Sequence, residues 1–166
     1  LFISTWPGDE LASGASNAGL WMSPPVGDGL TAADVNNWVK VWDVGDYEPD
    51  PVIAATYGGG AVASFDGYLY WGTMHVPFLS TMAHFGVYGE PNSEAEALIA
   101  AIYCHRAISI FRGRNFTSPT PQIDLLYGEP ALPAYTPPFG WLYIPTSYFP
   151  LYGSSGIDNF FNNYTW

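Results

Sequence analysis

The chain has 166 residues, with fifteen acidic residues against four basic ones and a formal net charge of −11 at pH 7. With 48% hydrophobic and 17% aromatic residues and one cysteine, the composition excludes a disordered chain and a disulfide scaffold and predicts one globular domain. The negative charge repels phosphate backbones, and no stretch reaches the roughly 18 apolar residues of a membrane span. We therefore expect neither nucleic-acid binding nor a membrane span.

Short strands are predicted along the first part of the chain. Runs of β-branched and aromatic residues are bounded there by Gly, Pro, Asn and Asp, which favours strands over residues 1–5, 19–23 and 38–42. Thr31 and Asp34 have the spacing of a helix start, so a short helix is predicted between the last two of these strands.

A β-hairpin is the clearest prediction of the central part. Strands over residues 60–65 and 68–73 flank the pair Asp66-Gly67. An Asp-Gly pair supplies the two positive-φ positions of a type I′ turn, whose twist matches that of the flanking strands. The hairpin and the strands around it indicate an all-β fold.

A helix, three more strands and a proline-rich stretch are predicted in the second half. Ser93 and Glu96 form a capping-box pattern, which predicts a helix over residues 93–102. The strands are predicted at residues 107–111, 123–127 and 141–144. Six prolines between Pro130 and Pro150 favour extended backbone that lacks donors for a strand ladder, so this stretch is expected to wrap over a surface.

The predicted strands repeat in the same order in the two halves of the chain. Residues 1–5 align with 69–73, 19–24 with 106–112, and 38–42 with 123–127. If the strands of one unit are named A to D, the first half supplies B, C and D, and the second supplies all four.

The hairpin Phe65-Asp66-Gly67-Tyr68-Leu69-Tyr70-Trp71-Gly72-Thr73 resembles the blade repeat of secreted and cell-surface β-propeller proteins. Residues 20–23 and the Asn-rich residues 155–164 are similar to other parts of that repeat. The resemblance implies an all-β fold of about two blades with short helical insertions. It divides the chain into a partial blade with strands B, C and D at 1–50, a full blade with a helical insertion near 93–102 at 51–129, and a Pro- and aromatic-rich connection to a next blade at 130–166.

Two blades do not close a propeller ring, which needs about four to eight. We therefore expect the chain to be a segment of a longer polypeptide or to be completed by further copies or a protein partner. A compact sandwich that is not a propeller is the remaining alternative.

Motifs for catalysis and metal binding are weak. The spacing of His75, His84 and His105 fits no compact metal signature, even with Cys104 or Asp66 added, and the acidic run from Asp43 to Asp50 lacks the positions of a calcium loop. Paired carboxylates of a glycosidase leave no local spacing to recognise. The sequence therefore predicts no catalytic residue, metal or other cofactor.

Aromatic residues are the one enriched class of residue that could bind a ligand. Trp21, Trp38 and Trp71 lie on predicted strands, where large side chains are expected to fill the space between blades. Aromatics near the prolines are instead predicted to form an exposed ligand-binding surface, which comprises Tyr135, Phe139, Trp141, Tyr148 and Tyr152.

The resulting hypothesis is a non-catalytic binding or structural module at the cell surface or outside the cell, with a protein partner or glycans as ligands. The scarcity of Lys among abundant Trp, Tyr, Gly, Asn and Ser favours this location, and Asn115 and Asn163 begin N-glycosylation acceptor sequences. The first alternative is an exported carbohydrate-active enzyme whose site is shared with other blades. The second is a metal-dependent oxidoreductase.

Overall fold

The computed structural model describes residues 1–7, 17–76 and 78–153. It is mostly β, with several antiparallel sheets, as the predicted all-β class requires. No sheet in these ranges closes on itself, and no helix within them is long and apolar enough to cross a membrane. The predicted approach to a next blade at residues 155–164, including Asn163, lies outside the described residues.

The first sheet has three strands, each paired with its neighbour in sequence: β1 (Phe2–Thr5), β2 (Gly19–Met22) and β3 (Val39–Asp43). All three strands agree with the prediction to within about a residue. A 3₁₀ helix at Ala32–Asn37 confirms the predicted helix start, and the Asp34 carboxylate accepts from the Thr31 amide at 2.8 Å.

The second sheet has four strands, again in sequence order: β4 (Tyr57–Phe65), β5 (Tyr68–His75), β6 (Ile110–Arg114) and β7 (Gln122–Tyr127). The predicted hairpin is confirmed, because Asp66 and Gly67 have φ values of 48° and 75° between β4 and β5. Strand β6 begins later than predicted, although the Ser109 amide already donates to Thr73 Oγ1 at 2.8 Å.

Helices occupy the connection between β5 and β6. Helix α3 (Glu94–Cys104) begins after Ser93, whose Oγ accepts from the Glu96 amide at 3.2 Å, as predicted. The Glu96 carboxylate, however, accepts from the Asn92 amide at 2.7 Å rather than from Ser93. Helix α2 (Leu79–Tyr88) was not predicted, since it has no capping side chain and follows Phe78 in the left-handed region. A further short helix, α1 (Pro51–Ala54), is capped by Asp50.

The proline-rich stretch forms a third sheet, which corrects the prediction that it lacks a strand ladder. Strands β8 (Ala131–Thr136) and β9 (Gly140–Pro145) pair as an antiparallel hairpin. In a two-stranded sheet each strand has one unpaired edge, so Pro133 and Pro145 are tolerated without an N–H donor. The chain then runs along the edge of β7, where the Leu151 amide donates to the Leu125 carbonyl at 3.0 Å.

Aromatic side chains join the first two sheets in one core. The Trp71 ring is stacked on that of Phe111 at 5.6 Å and lies edge-on to that of Trp42 at 5.7 Å. Trp71 is therefore a core residue, whereas Trp21 and Trp38 are half-buried. Around these rings pack other buried apolar side chains, among them Leu20, Val44, Ile53, Leu125 and Leu132.

Candidate functional site

A cleft of about 310 Å³ lies between helices α2 and α3 and the β8–β9 hairpin. Rings line one part of it and polar side chains another, the latter on residues 89–96. Its lining residues include His84, Tyr88, Glu90, Asn92, Glu96, Tyr135 and Trp141. We call this the aromatic cleft.

His84 is the centre of the aromatic part. Its ring is stacked on that of Trp141, with centroids 4.8 Å apart and an interplanar angle of 27°. It lies edge-on to Tyr135 at 4.8 Å and tilted against Tyr88 at 4.9 Å. The four rings thus form one packed group, with contacts worth roughly 0.5–1.5 kcal/mol per pair beyond simple burial.

Local structure explains how these rings converge. Tyr135 and Trp141 face each other as a cross-strand pair of the β8–β9 hairpin, with centroids 5.3 Å apart. His84 and Tyr88 are four residues apart on α2, so they lie on the same side of the helix. The Tyr135 amide also donates to Asp50 Oδ2 at 2.9 Å, which ties the hairpin to the start of α1.

His84, which lines this cleft, has a buried polar atom that is unsatisfied among the described residues. The residue is only 5% exposed, and its Nδ1 has no hydrogen-bond partner among the described residues. Burial lowers the pKa of His84, against an opposing effect of the Asp50 charge, so the imidazole is neutral at pH 7. An unpaired buried polar atom costs about 1–3 kcal/mol.

The polar part of the cleft is acidic. Glu96 Oε2 accepts from the Asn92 amide at 2.7 Å and from Asn92 Nδ2 at 3.2 Å. Glu90 is exposed and makes no hydrogen bond or ion pair with any described residue. Among the described residues no Lys or Arg side chain lines the cleft, and each of these four side chains contacts another partner: Lys40 binds Asp43, Arg106 binds Glu48, Arg112 binds Asp124 and Arg114 binds Gln122.

The five predicted ligand-binding aromatics lie in three different settings. Tyr135 and Trp141 line the aromatic cleft. Tyr148 is half-buried and packs against the core instead, with its ring centroid 5.4 Å from that of Phe111. Phe139 and Tyr152 are each 76% exposed and outside the cleft. His84 was considered from the sequence only as a metal ligand and Tyr88 not at all; their four-residue spacing would have placed them together had α2 been predicted.

A buried ion pair lies close to this site. Arg106 Nε is 2.6 Å from Glu48 Oε2, and Arg106 Nη2 is 2.9 Å from Glu48 Oε1. Glu48 also accepts from the Tyr57 hydroxyl at 3.1 Å and from the Asp50 amide. Burial alone would lower the pKa of Arg106, but the Glu48 charge outweighs it and raises that pKa. Both groups are saturated by protein partners.

A second, larger cleft of about 740 Å³ lies beside α1 and α2. Its lining is mostly apolar and small, with Ala54, Ala55 and Ala83 as examples. Glu48 is the one charged residue among its described lining residues, and the ion pair with Arg106 already engages it. This cleft therefore offers no available reactive group.

The histidines and acidic residues considered for metal binding do not converge. His75 and His105 have ring centroids 6.0 Å apart, whereas His84 belongs to the aromatic cleft. Asp43 pairs with Lys40 and Asp50 caps α1. Among the described residues, no three or more His, Cys, Asp or Glu side chains are grouped to hold a metal ion.

A scan of the chain against protein-family profiles and searches of curated proteins and of solved structures find no match. The chemistry of the aromatic cleft is therefore the basis for assigning a function.

Proposed function

We propose that this chain is a non-catalytic binding module made of propeller-type blades, that it acts outside the cell or at its surface, and that the aromatic cleft binds a glycan. The observation that carries the proposal is the cleft itself, where the half-buried rings of Tyr135 and Trp141 adjoin the polar side chains of Glu90, Asn92 and Glu96.

Glycans match this combination of surfaces. The C–H face of a sugar ring packs on an aromatic ring, and its hydroxyl groups bond to carboxylate and amide groups. A cleft of about 310 Å³ lies at the small end of the range for small-molecule sites, so it suits a short stretch of an oligosaccharide.

The sheet topology supports the blade part of the proposal. Three strands in meander order are followed by four strands in meander order, and this order is compatible with strands B, C and D of one blade and A to D of the next. Four-stranded meanders are the building unit of propellers. Ring closure at about four to eight blades would require more blades, from the same polypeptide, from further copies or from a protein partner.

The proposal is tested by titrating the purified chain with a panel of soluble oligosaccharides and following heat of binding. We expect Trp141→Ala to weaken binding about two- to tenfold, because a stacking surface is lost. Phe139→Ala is the matched control, since Phe139 is an exposed aromatic on the same hairpin outside the cleft. Failure of every glycan to bind, or equal losses in both variants, would contradict the proposal.

An exported carbohydrate-active enzyme is the second candidate, because Glu90 and Glu96 place two carboxylates at the same cleft. Glycosidases use such a pair as acid and base or nucleophile. Release of reducing sugar by the wild-type chain, with loss of release in Glu90→Gln and in Glu96→Gln, would favour the enzyme over the binding module.

A further inference from the structure

The charged side chains that line the aromatic cleft are hydrogen-bond acceptors, whereas the hydroxyls of Tyr88 and Tyr135 can donate or accept. The Glu90 carboxylate makes no bond to a described residue, and Glu96 uses only Oε2 for its bonds to Asn92. An ionised carboxylate accepts and never donates. The cleft therefore favours a ligand group that is rich in donors.

His84 adds a polar group that lacks a partner beside the cleft. The residue lines the cleft and is only 5% exposed, and its buried Nδ1 is unpartnered among the described residues. One nitrogen of a neutral imidazole carries a lone pair and the other a hydrogen, so Nδ1 accepts or donates a hydrogen bond according to the tautomer. Because His84 is neutral, it does not repel a cation.

The aromatic rings favour positive charge as well. The faces of Tyr88, Tyr135 and Trp141 carry partial negative charge and attract an ammonium group within about 6 Å of the ring centre. No Lys or Arg supplies this charge from the protein, because none lines the cleft. The net charge of −11 attracts cationic ligands at longer range.

We infer that the glycan bound at the aromatic cleft carries protonated primary amines, as an oligosaccharide of de-acetylated amino sugars does. The inference rests on the proposed glycan-binding function. A primary ammonium supplies three donors and a positive charge, which matches Glu90, Glu96 and the ring faces together. A hydroxyl at the same sugar position supplies a single donor and no charge, and an acidic sugar would be repelled by the carboxylates.

The test compares three β-1,4-linked tetramers on the purified chain by calorimetry: glucosamine, N-acetylglucosamine and glucose. The glucosamine and glucose tetramers are nearly the same size and differ by an ammonium in place of a hydroxyl on each of the four rings. We expect glucosamine tetramer to bind about tenfold more tightly than either of the others, since a charge-assisted bond and a cation–π contact are added.

The variants Glu90→Gln and Glu94→Gln test whether the tighter binding of the glucosamine tetramer arises at the aromatic cleft. Both residues are exposed acids next to or within α3, but only Glu90 lines the cleft. We expect Glu90→Gln to weaken binding of the glucosamine tetramer about two- to fivefold, in the range of an exposed ion pair, and Glu94→Gln to leave it unchanged. The two variants change the net charge equally, so the difference between them reports the cleft.

The outcomes distinguish failure of the amine inference from failure of the proposed glycan-binding function. Equal binding of the glucose and glucosamine tetramers would overturn the amine inference and leave glycan binding in place. Equal weakening by the two variants would overturn it too, because net charge would then be the cause. If no tetramer binds while a lysine-containing peptide does, both the inference and the proposed function are overturned.

Discussion

Two polar regions close to each other in this molecule differ in how far the protein satisfies them. Glu48 and Arg106 are buried and bond to each other twice, and further donors and acceptors surround them. His84 is almost as buried, yet its Nδ1 has no described partner, and the nearby Glu90 has none either. The first arrangement holds the fold together, whereas the second leaves bonding capacity for a ligand.

The saturated region also positions the unsaturated one. Arg106 donates through Nη1 to the Tyr103 carbonyl at the end of α3 and through Nη2 to the Pro133 carbonyl of β8. Helix α3 and strand β8 both supply residues to the aromatic cleft. The buried ion pair is therefore an anchor for the elements that form the candidate binding site.

The largest expected effect is the loss of this anchor in Arg106→Met. The variant leaves the Glu48 carboxylate buried without its counter-charge, which costs about 3–5 kcal/mol in the free energy of unfolding. Urea denaturation followed by tryptophan fluorescence measures the loss. Arg114→Met is the control, because Arg114 is exposed and bonds to Gln122.

A double variant, Glu48→Leu with Arg106→Met, keeps the test informative if the single variant does not fold. Replacing both charges by apolar groups removes the uncompensated carboxylate, so we expect it to recover part of the lost stability. Wild-type stability of Arg106→Met would contradict the anchor role.

A pH-dependent effect is expected at His75, next to the ion pair. His75 is fully buried with both ring nitrogens unpartnered among the described residues, and it packs against Tyr57 and His105. Burial, helped by the charges of Arg106 and His105, lowers the pKa of His75 from 6.5 to about 3. Below about pH 6.5 the unfolded chain therefore binds a proton that the folded chain does not.

Above about pH 6.5, His75 therefore does not make the free energy of unfolding depend on pH. As the pH drops from 6.5 towards 3, the proton bound only by the unfolded chain lowers the free energy of unfolding by about 1.4 kcal/mol per pH unit. We expect this loss to be absent in His75→Leu. Urea denaturation at pH 7, 6 and 5 tests the difference, and parallel pH profiles of wild type and variant would show that His75 does not titrate in this way.

The smallest effect on stability is expected for Glu90→Gln. A small effect would show that the cleft, unlike the buried ion pair, does not depend on this charge for folding. Glu90 is exposed and has no described partner, so its replacement is expected to change the free energy of unfolding by less than about 0.5 kcal/mol. The same urea titration measures it. A loss above about 1 kcal/mol would place Glu90 among the structural residues rather than the ligand-binding ones.

Sequence reasoning succeeded where the signal was local. The Asp66-Gly67 turn and the Ser93 cap each depend on a few neighbouring residues, and both are present in the structure. Helix α2 was missed because it has no capping side chain, so its position depends on packing against α1 and α3. Strand β9 confirms the strand predicted at residues 141–144, but its partner β8 and the pairing between them were missed because prolines argued against a ladder.

The candidate site was only partly predictable for the same reason. Tyr135 and Trp141 were predicted as ligand-binding residues, and the hairpin pairs them. Tyr148 was predicted with them, yet its ring packs against Phe111 in the core. Nothing near an aromatic residue in sequence indicates which face of a sheet will be covered by another element.

The net negative charge follows from composition, and the all-β class, the tight turn and the helix cap follow from neighbouring residues, because backbone preferences act over a few positions. The Glu48–Arg106 pair joins residues 58 positions apart, and the aromatic cleft combines α2, α3 and β8–β9. Such convergence depends on how distant elements pack. Folding therefore decides which polar groups are saturated and which remain available to a ligand.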